Sequence, residues 1–261
     1  MQIGISSSCF YPILTEQAFR KVGELGAKTA EIFFNCASEL GGSLLKELVT
    51  IKDYYGIEVR SIHPYSSFAE PYTLFSPYRR RSDETLEFYK KYSEAAAALG
   101  AECFVIHGGK KNKSAEEEEY FEIYGRLCEI SKPYGVLPAH ENVNLFCGEN
   151  IDFLLRLKEY TGEDFRTVLD IKQCRRCGTD EFEIIEKFEG SIIQVHISDF
   201  NNKKDCIPPG EGEYDFGKLF SSLKKHSYDK SAIIELYNWG YDDESQIVRA
   251  KRFLEKVEKD V

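Results

Sequence analysis

Seven side chains able to move a proton or hold a cation, Glu31, His63, His107, Glu141, Asp170, His196 and Glu235, stand at or near the ends of short apolar runs in this 261-residue chain. The stretch VLPAHENV, Val136 to Val143, shows the pattern. A strand buried on both faces stays hydrophobic to its end unless that end opens onto something wet, charged or metallic. Four of the five histidines (His63, His107, His140 and His196) lie at such ends, and His226 alone falls in a helix-like segment. A single buried histidine is usually structural, but repetition at equivalent ends points to a shared site. Neighbours in a strand face opposite ways, so His140 and Glu141 cannot both point inward. Small Ala139 shares a face with Glu141, which assigns Glu141 to the interior and leaves His140 to pack or hydrogen-bond under a helix. Glu141, Asp170, His196 and Glu235 then bring three carboxylates and one imidazole to one place. A divalent cation would relieve their repulsion, and oxygen-rich donors with one imidazole suit manganese, magnesium or cobalt, with zinc also accommodated. The alternative is a salt-bridge network with Lys172 or Arg175.

The elements that must position these residues alternate: short β-rich runs separated by longer segments of helical period. Strands are expected at Ile3 to Ser6, Thr29 to Phe33, Glu58 to His63, Cys103 to His107, Val136 to Glu141, Thr167 to Asp170, Ile192 to Ile197 and Ala232 to Leu236. Between the first two lies LTEQAFRKVGELG, where Thr15 is expected to cap an amphipathic helix and Gly26 to end it in the left-handed conformation. Gly100, Gly135 and Gly190 mark later ends by the same logic, and Glu116 to Glu119 read as a solvated helix start favoured by the helix dipole. Eight βα units in one chain of this length predict a single-domain (β/α)8 TIM barrel over residues 1–261, whose active site lies at the C-terminal ends of its strands. No GxGxxG opens a helix after the first strand, which weakens a dinucleotide-binding sheet.

Composition restricts the partners. The formal charge of -10 opposes attraction to nucleic acid or anionic membranes and favours a small-molecule partner. The N-terminal MQIGISSSCF runs straight into a strand pattern rather than a signal segment, which makes the cytoplasm the expected compartment. Eight scattered cysteines fit reduced thiols better than a disulfide framework. Cys174 and Cys177 form a CRRC pair, but no second pair completes a zinc site. Tyr11, Phe33, Tyr65 and Trp239 follow strands near the expected mouth and are equally suited to stack on a sugar or to pack their loops.

The motifs HENV with Glu141, VLDI with Asp170, VHISD with His196 and Asp199, PPGEGEYDF at Pro208 to Phe216, and IIELY with Glu235 occur in an order that carries a resemblance over nearly the whole chain. The sequence resembles the xylose isomerase-like barrel family, which includes sugar phosphate isomerases and epimerases, ketose 3-epimerases, inosose dehydratases and endonuclease IV. That resemblance implies that Glu141, Asp170, His196 and Glu235 bind one divalent metal, and that Glu141 and Glu235 act as base and acid on a carbohydrate through an enediolate. His63 and His107 are implied to contact substrate, and Glu31 to orient one of these groups or to form a salt bridge. Asp199, Gly210 and Gly212 would shape the seventh loop, and Asp215 would cap the helix after it. Many members of that family place a histidine three residues after the aspartate, where this chain has Gln173, a hydroxyl-binding side chain and a poor zinc ligand. DFNNKKDC, Asp199 to Cys206, lacks the Asp-x-His pair of endonuclease IV and the arginine of ketose 3-epimerases; Lys203 and Lys204 could instead meet a substrate anion or simply be solvated. The expected activity is therefore a sugar or sugar-phosphate isomerase or epimerase. An inosose-dehydratase-like lyase, an endonuclease IV-like nuclease and a non-catalytic sugar-binding barrel stand as alternatives, and a homo-oligomer is left open.

Overall fold

The computed structural model describes residues 1–111 and 114–261. Eight parallel strands close on themselves in sequence order, with β1 pairing with both β2 and β8. They are β1 (Gln2–Ser6), β2 (Thr29–Phe33), β3 (Glu58–His63), β4 (Cys103–Ile106), β5 (Leu137–Glu141), β6 (Thr167–Asp170), β7 (Ile192–Ile197) and β8 (Ser231–Ile234). The surrounding helices are α1 (Thr15–Glu24), α2 (Gly42–Tyr55), α3 (Arg79–Leu99), α4 (Glu117–Ser131), α5 (Ile151–Thr161), α6 (Ile171–Cys177), α7 (Glu181–Lys187), α8 (Phe216–Lys225) and α9 (Glu244–Asp260). This is a (β/α)8 TIM barrel, as the alternation of periods predicts.

Strand alternation divides the core in two. Outward-facing Phe104, Ile106, Val195, Ile197, Ala232 and Ile234 pack with the helices in one large cluster. Cys103, Val105, Ala139, Val168 and Ile193 form a separate small cluster. Ala139 lies two residues before Glu141 and Val168 two before Asp170, so the inner face of each strand changes from apolar to ionisable toward its C-terminal end. His140 takes the other face. It is fully buried, with Nε2 2.7 Å from the Tyr120 hydroxyl of α4, and its ring lies among Tyr120, Tyr124 and Phe153.

Two strands stop short of their expected ends. β4 ends at Ile106 because the chain turns through Gly108 at φ +83, which puts His107 at the head of a loop. β8 ends at Ile234: Glu235 N still donates to Ile197 O at 3.0 Å, but Leu236 N turns to the Cys9 thiol, and the ladder stops. Thr15 does not cap α1. Leu14 holds that position without a side-chain bond, while the Thr15 hydroxyl donates to buried Glu39 at 2.9 Å, since a buried carboxylate needs donors more than a helix end in reach of water does. Gly26, Gly100, Gly135 and Gly190 all take positive φ, and the Asp215 side chain accepts from Lys218 N at the start of α8. None of the eight cysteines is disulfide-bonded, and among the described residues no helix is long and apolar enough to cross a membrane.

The floor of the barrel requires glycine at one point. A Cβ on Gly4 of β1 would lie 2.5 Å from Ile233 Cδ1 and 2.7 Å from Thr29 O, and the second of these is backbone that cannot move aside. Gly4→Ala is therefore expected to lower stability by about 1–3 kcal/mol through overpacking, read as a lower urea midpoint at unchanged m.

Candidate active site

At the C-terminal mouth of the barrel, one donor atom from each of Glu141, Asp170, His196 and Glu235 lies within 4.8 Å of the others. Each is placed by backbone chemistry. Glu141 ends β5, and the next residue, Asn142, locks that end to β6: its Oδ1 accepts from Asp170 N at 2.7 Å and its Nδ2 donates to Asp170 O at 3.1 Å. Asp170 caps α6 with Oδ1, accepting from Lys172 N at 2.7 Å and Gln173 N at 3.1 Å, which leaves Oδ2 for the cluster. His196 on β7 sets Nδ1 3.4 Å from Glu141 Oε1 and 3.6 Å from Glu235 Oε2. Its opposite nitrogen, Nε2, is 3.0 Å from Glu31 Oε2. Glu31 is fully buried on β2 and also accepts from Ser6, Ser61 and Gln194. A carboxylate behind an imidazole in this way orients the ring and raises its basicity toward a ligand on the far side.

A second set shares Glu141: His63 and His107 also bring a ring nitrogen within 4.8 Å of its carboxylate. His107 Nε2 lies 3.2 Å and His63 Nε2 3.8 Å from Glu141 Oε2, and 3.3 Å separates the two rings' nitrogens. Both histidines, with Glu141, Lys172, Gln173 and Glu235, line a cavity of about 680 Å³. Tyr11, Phe68 and Trp239 form its more exposed wall, where Trp239 stacks on Tyr237 at 5.0 Å. Gln173 Oε1 accepts from Asn144 N at 3.2 Å, which ties the loop after β5 to the cavity wall. Asp199 stands outside this group and organises its own loop, accepting from Phe200, Gly210, Gly212 and Tyr214 backbone nitrogens. Lys203 and Lys204 are exposed on that loop. Cys174 and Cys177 do not meet as a redox pair: Asn142 donates to the Cys174 thiol, and the Cys177 thiol bonds Gln173 O.

Charge compensation governs the cluster. Burial alone would raise the Glu31 carboxyl, but His196, His63 and Ser61 outweigh it and hold it at about 2. Burial is likewise overcome at Glu141 by His107, His196 and His63, and at Glu235 by Lys172 and His196, so both carboxyls sit below the ordinary range. Asp170 goes the other way: burial raises it to about 7 despite Lys172, with Glu141 and Glu235 adding to the rise. His196 is lifted well above its ordinary value, since Glu31, Glu235 and Glu141 overcome its burial. Two buried atoms of this cluster, Asp170 Oδ2 and His196 Nδ1, have no hydrogen-bond partner among the described residues. Each such orphan costs about 1–3 kcal/mol, and both belong to the four-residue set. Three carboxylates and one imidazole with two unsatisfied atoms fit a divalent ion, with the donor chemistry of manganese, magnesium or cobalt.

Sequence reasoning overlooked the ties that make this geometry. Lys172 entered only as a salt-bridge alternative, yet its ammonium lies 3.2 Å from Asp170 Oδ2 and 3.1 Å from Glu235 Oε2. Its position two residues after the aspartate was the available signal. Ser61 and Gln194 gave a cue in their polar identity inside apolar strands. Glu70 gave none. It sits in the short turn Ser67–Tyr72, fully buried, accepting from Tyr89 Oη at 2.6 Å and Gly108 N at 2.5 Å, and so joins the loop after β3 to the residue following His107.

A family model described as xylose isomerase-like TIM barrel matches residues 19–257. In sequence, the chain is 26% identical over 252 residues to the uncharacterized protein MJ1311 of Methanocaldococcus jannaschii, a match spanning 91% of this chain and 84% of that protein. In structure, it resembles a D-tagatose 3-epimerase-like protein with a TM-score of 0.82 at 24% identity, over 100% of this chain and 98% of the other. It also resembles a D-psicose 3-epimerase solved in the presence of D-fructose, with a TM-score of 0.81 at 14% identity, over 100% and 99% of the two chains. At these identities the structural likeness speaks to the fold.

Burial pushes the Glu70 carboxyl from its ordinary 4.5 up to about 8. Between those values the native group keeps a proton that the unfolded chain has lost. Its contribution therefore favours the folded state at low pH and fades as pH rises through that window, by up to about 1.4 kcal/mol per pH unit. Gln at this position keeps the shape and cannot ionise, with the Tyr89 hydroxyl turning to accept where needed. Denaturation of wild type and Glu70→Gln from about pH 5 to about pH 9 is expected to show wild type losing stability relative to the variant; parallel curves would refute the assignment.

Proposed function

The chain belongs to the xylose isomerase-like TIM barrel family, and from that premise we propose that it is a divalent-metal-dependent isomerase or epimerase of a sugar or sugar phosphate. The observation that carries the reading is the convergence of Glu141 and Glu235 on one cavity, from the end of β5 and from the residue after β8, with His196 Nδ1 between them at 3.4 and 3.6 Å. The aromatic wall of that cavity suits a sugar ring, and its histidine, glutamine and lysine side chains suit the hydroxyls.

A hydrogen on carbon beside a carbonyl is too weakly acidic for an unaided carboxylate. An ion held by Glu141, Asp170, His196 and Glu235 would supply Lewis-acid polarisation of the substrate oxygens. The chain's own residues do the rest. One of the two glutamates, held ionised by the neighbouring positive groups, takes the proton from carbon; the C–H pair becomes a C=C bond and the carbonyl pair moves onto oxygen. The other glutamate, also ionised at rest, takes a proton from solvent and returns it to carbon. Return to the opposite face of the same carbon inverts it, and return to the neighbouring carbon interconverts aldose and ketose. His63 and His107, beside Glu141, hold substrate oxygens in register with the base. Glu31 keeps the His196 ring oriented. Gln173 and Trp239 contact the sugar farther out.

The test is exchange of carbon-bound hydrogen with deuterated water across ketoses, aldoses, their phosphates and inososes, in the presence of Mn²⁺. Glu141→Gln and Glu235→Gln are each expected to slow exchange by about 10²-fold or more. Product analysis then separates epimer, isomer and dehydrated product. Exchange that persists without a divalent ion, or in both variants, would sink the mechanism.

A further inference from the structure

Among the described residues that line the cavity, Lys172 is the sole lysine or arginine. Its environment is unusual for a lysine, a residue type that is rarely buried unless paired. The side chain is 5% exposed, and its Nζ donates to Glu235 Oε2 at 3.1 Å while standing 3.2 Å from Asp170 Oδ2 and 4.9 Å from the centre of the Tyr237 ring. The Asp170 contact is an ion pair without hydrogen-bond alignment, since Oδ2 has no hydrogen-bond partner. Among the described residues the amine thus makes a single hydrogen bond, and an ammonium has three protons to donate. Its backbone is held as firmly: Lys172 N donates to Asp170 Oδ1 at 2.7 Å in the first turn of α6.

A surface-type ion pair does not explain this placement, because burying a lysine is costly and a neutral residue of similar volume would fill the space. A charge count does. Glu31, Glu141, Asp170 and Glu235 place four carboxylates around the mouth, so a bound divalent ion leaves an excess of negative charge before any substrate enters. Transfer of the carbon-bound proton to a glutamate leaves the total charge unchanged but moves one negative charge from that carboxylate onto a substrate oxygen in the same cavity. A positive group fixed on the wall beside a proton-transferring carboxylate is where that charge is best met.

We propose that Lys172 is a catalytic residue whose ammonium donates a hydrogen bond to the substrate oxygen that becomes negative as the neighbouring C–H proton leaves. The inference rests on the enediolate reading above. No proton passes from the lysine: the carbon-bound proton goes to a glutamate, the C–H pair forms C=C, the carbonyl pair moves onto oxygen, and the ammonium stabilises that oxygen until the pair returns. His63 and His107 face Glu141, whereas Lys172 stands on the Glu235 and Asp170 side, so the two groups serve different substrate oxygens.

Lys172→Met and Lys172→Gln separate this role from a structural one, the second keeping polarity and reach should the first fail to fold. Mn²⁺ binding without substrate is read by calorimetry, and deuterium exchange is read on the Mn²⁺-loaded protein. Loss of a like charge beside two of the proposed ligands is expected to leave Mn²⁺ binding as tight as in wild type or tighter, while exchange falls by about 10²-fold, mostly in kcat. Propylamine is expected to restore part of the rate of a truncating Lys172→Ala variant, saturably, by filling the vacated place. Wild-type exchange rates in both variants would overturn the proposal. So would a parallel loss of Mn²⁺ affinity and exchange, the mark of a strut that merely shapes the site. Absence of exchange in wild type with every sugar tested would instead remove the enediolate reading itself, and this role with it.

Discussion

Four carboxylates gathered at one end of a closed barrel impose the constraint to which the rest of the mouth answers. Taken out of water, each is costly unless an opposite charge or a set of donors meets it. The chain supplies both. Imidazoles at His63, His107 and His196 and the ammonium of Lys172 stand within 3.0–3.8 Å of carboxylate oxygens. Even so, Asp170 Oδ2 and His196 Nδ1 remain without hydrogen bonds. A buried polar network with open atoms at its centre is a poor way to stabilise a fold and a natural way to receive a cation.

The barrel makes this arrangement tolerable by separating stability from chemistry along each strand. Hydrophobic burial is concentrated between strands and helices, and in the inner layer around Val105, Ala139 and Val168. The ionisable residues stand beyond that layer, at strand ends, where loops can differ without disturbing the packed floor. Small polar ties then fix the mouth: Asn142 to the backbone of Asp170, Glu31 to His196, and Glu70 across to the turn after His107. Each tie spans two βα units. Precision at the site is thus a property of separate units held together, β5 with β6 through Asn142 and β2 with the non-adjacent β7 through Glu31, rather than of any single loop.

Much of this was legible before any coordinates. The alternation of periods specified the barrel, and the parity of Ala139, His140 and Glu141 assigned one side chain inward and one toward a helix, where His140 indeed meets Tyr120. Positions of Glu141, Asp170, His196 and Glu235 at successive strand ends marked them as a group, and the structure brings them together. The misplaced details have local causes. Thr15 looks like a helix cap because capping is judged from neighbours in sequence, whereas its hydroxyl is claimed by Glu39, 24 residues away. β4 and β8 end before the residues the sequence pattern includes, His107 and Glu235–Leu236, because the backbone leaves the ladder there, at the turn through Gly108 and where Leu236 N goes to the Cys9 thiol.

Periodic, local information in the chain suffices for which segments become strands and helices, which face of each strand is buried, and which ionisable residues come at strand ends. Pairwise, long-range relations emerge with the closed barrel. That Glu31 lies behind His196, 165 residues later, and that Lys172 reaches Glu235, 63 residues later, follows from barrel closure and from the stagger between strands. The physical reason is that periodicity constrains the direction of a side chain, while a hydrogen bond or ion pair requires a distance, and distances across a closed sheet exist only once every strand has taken its register.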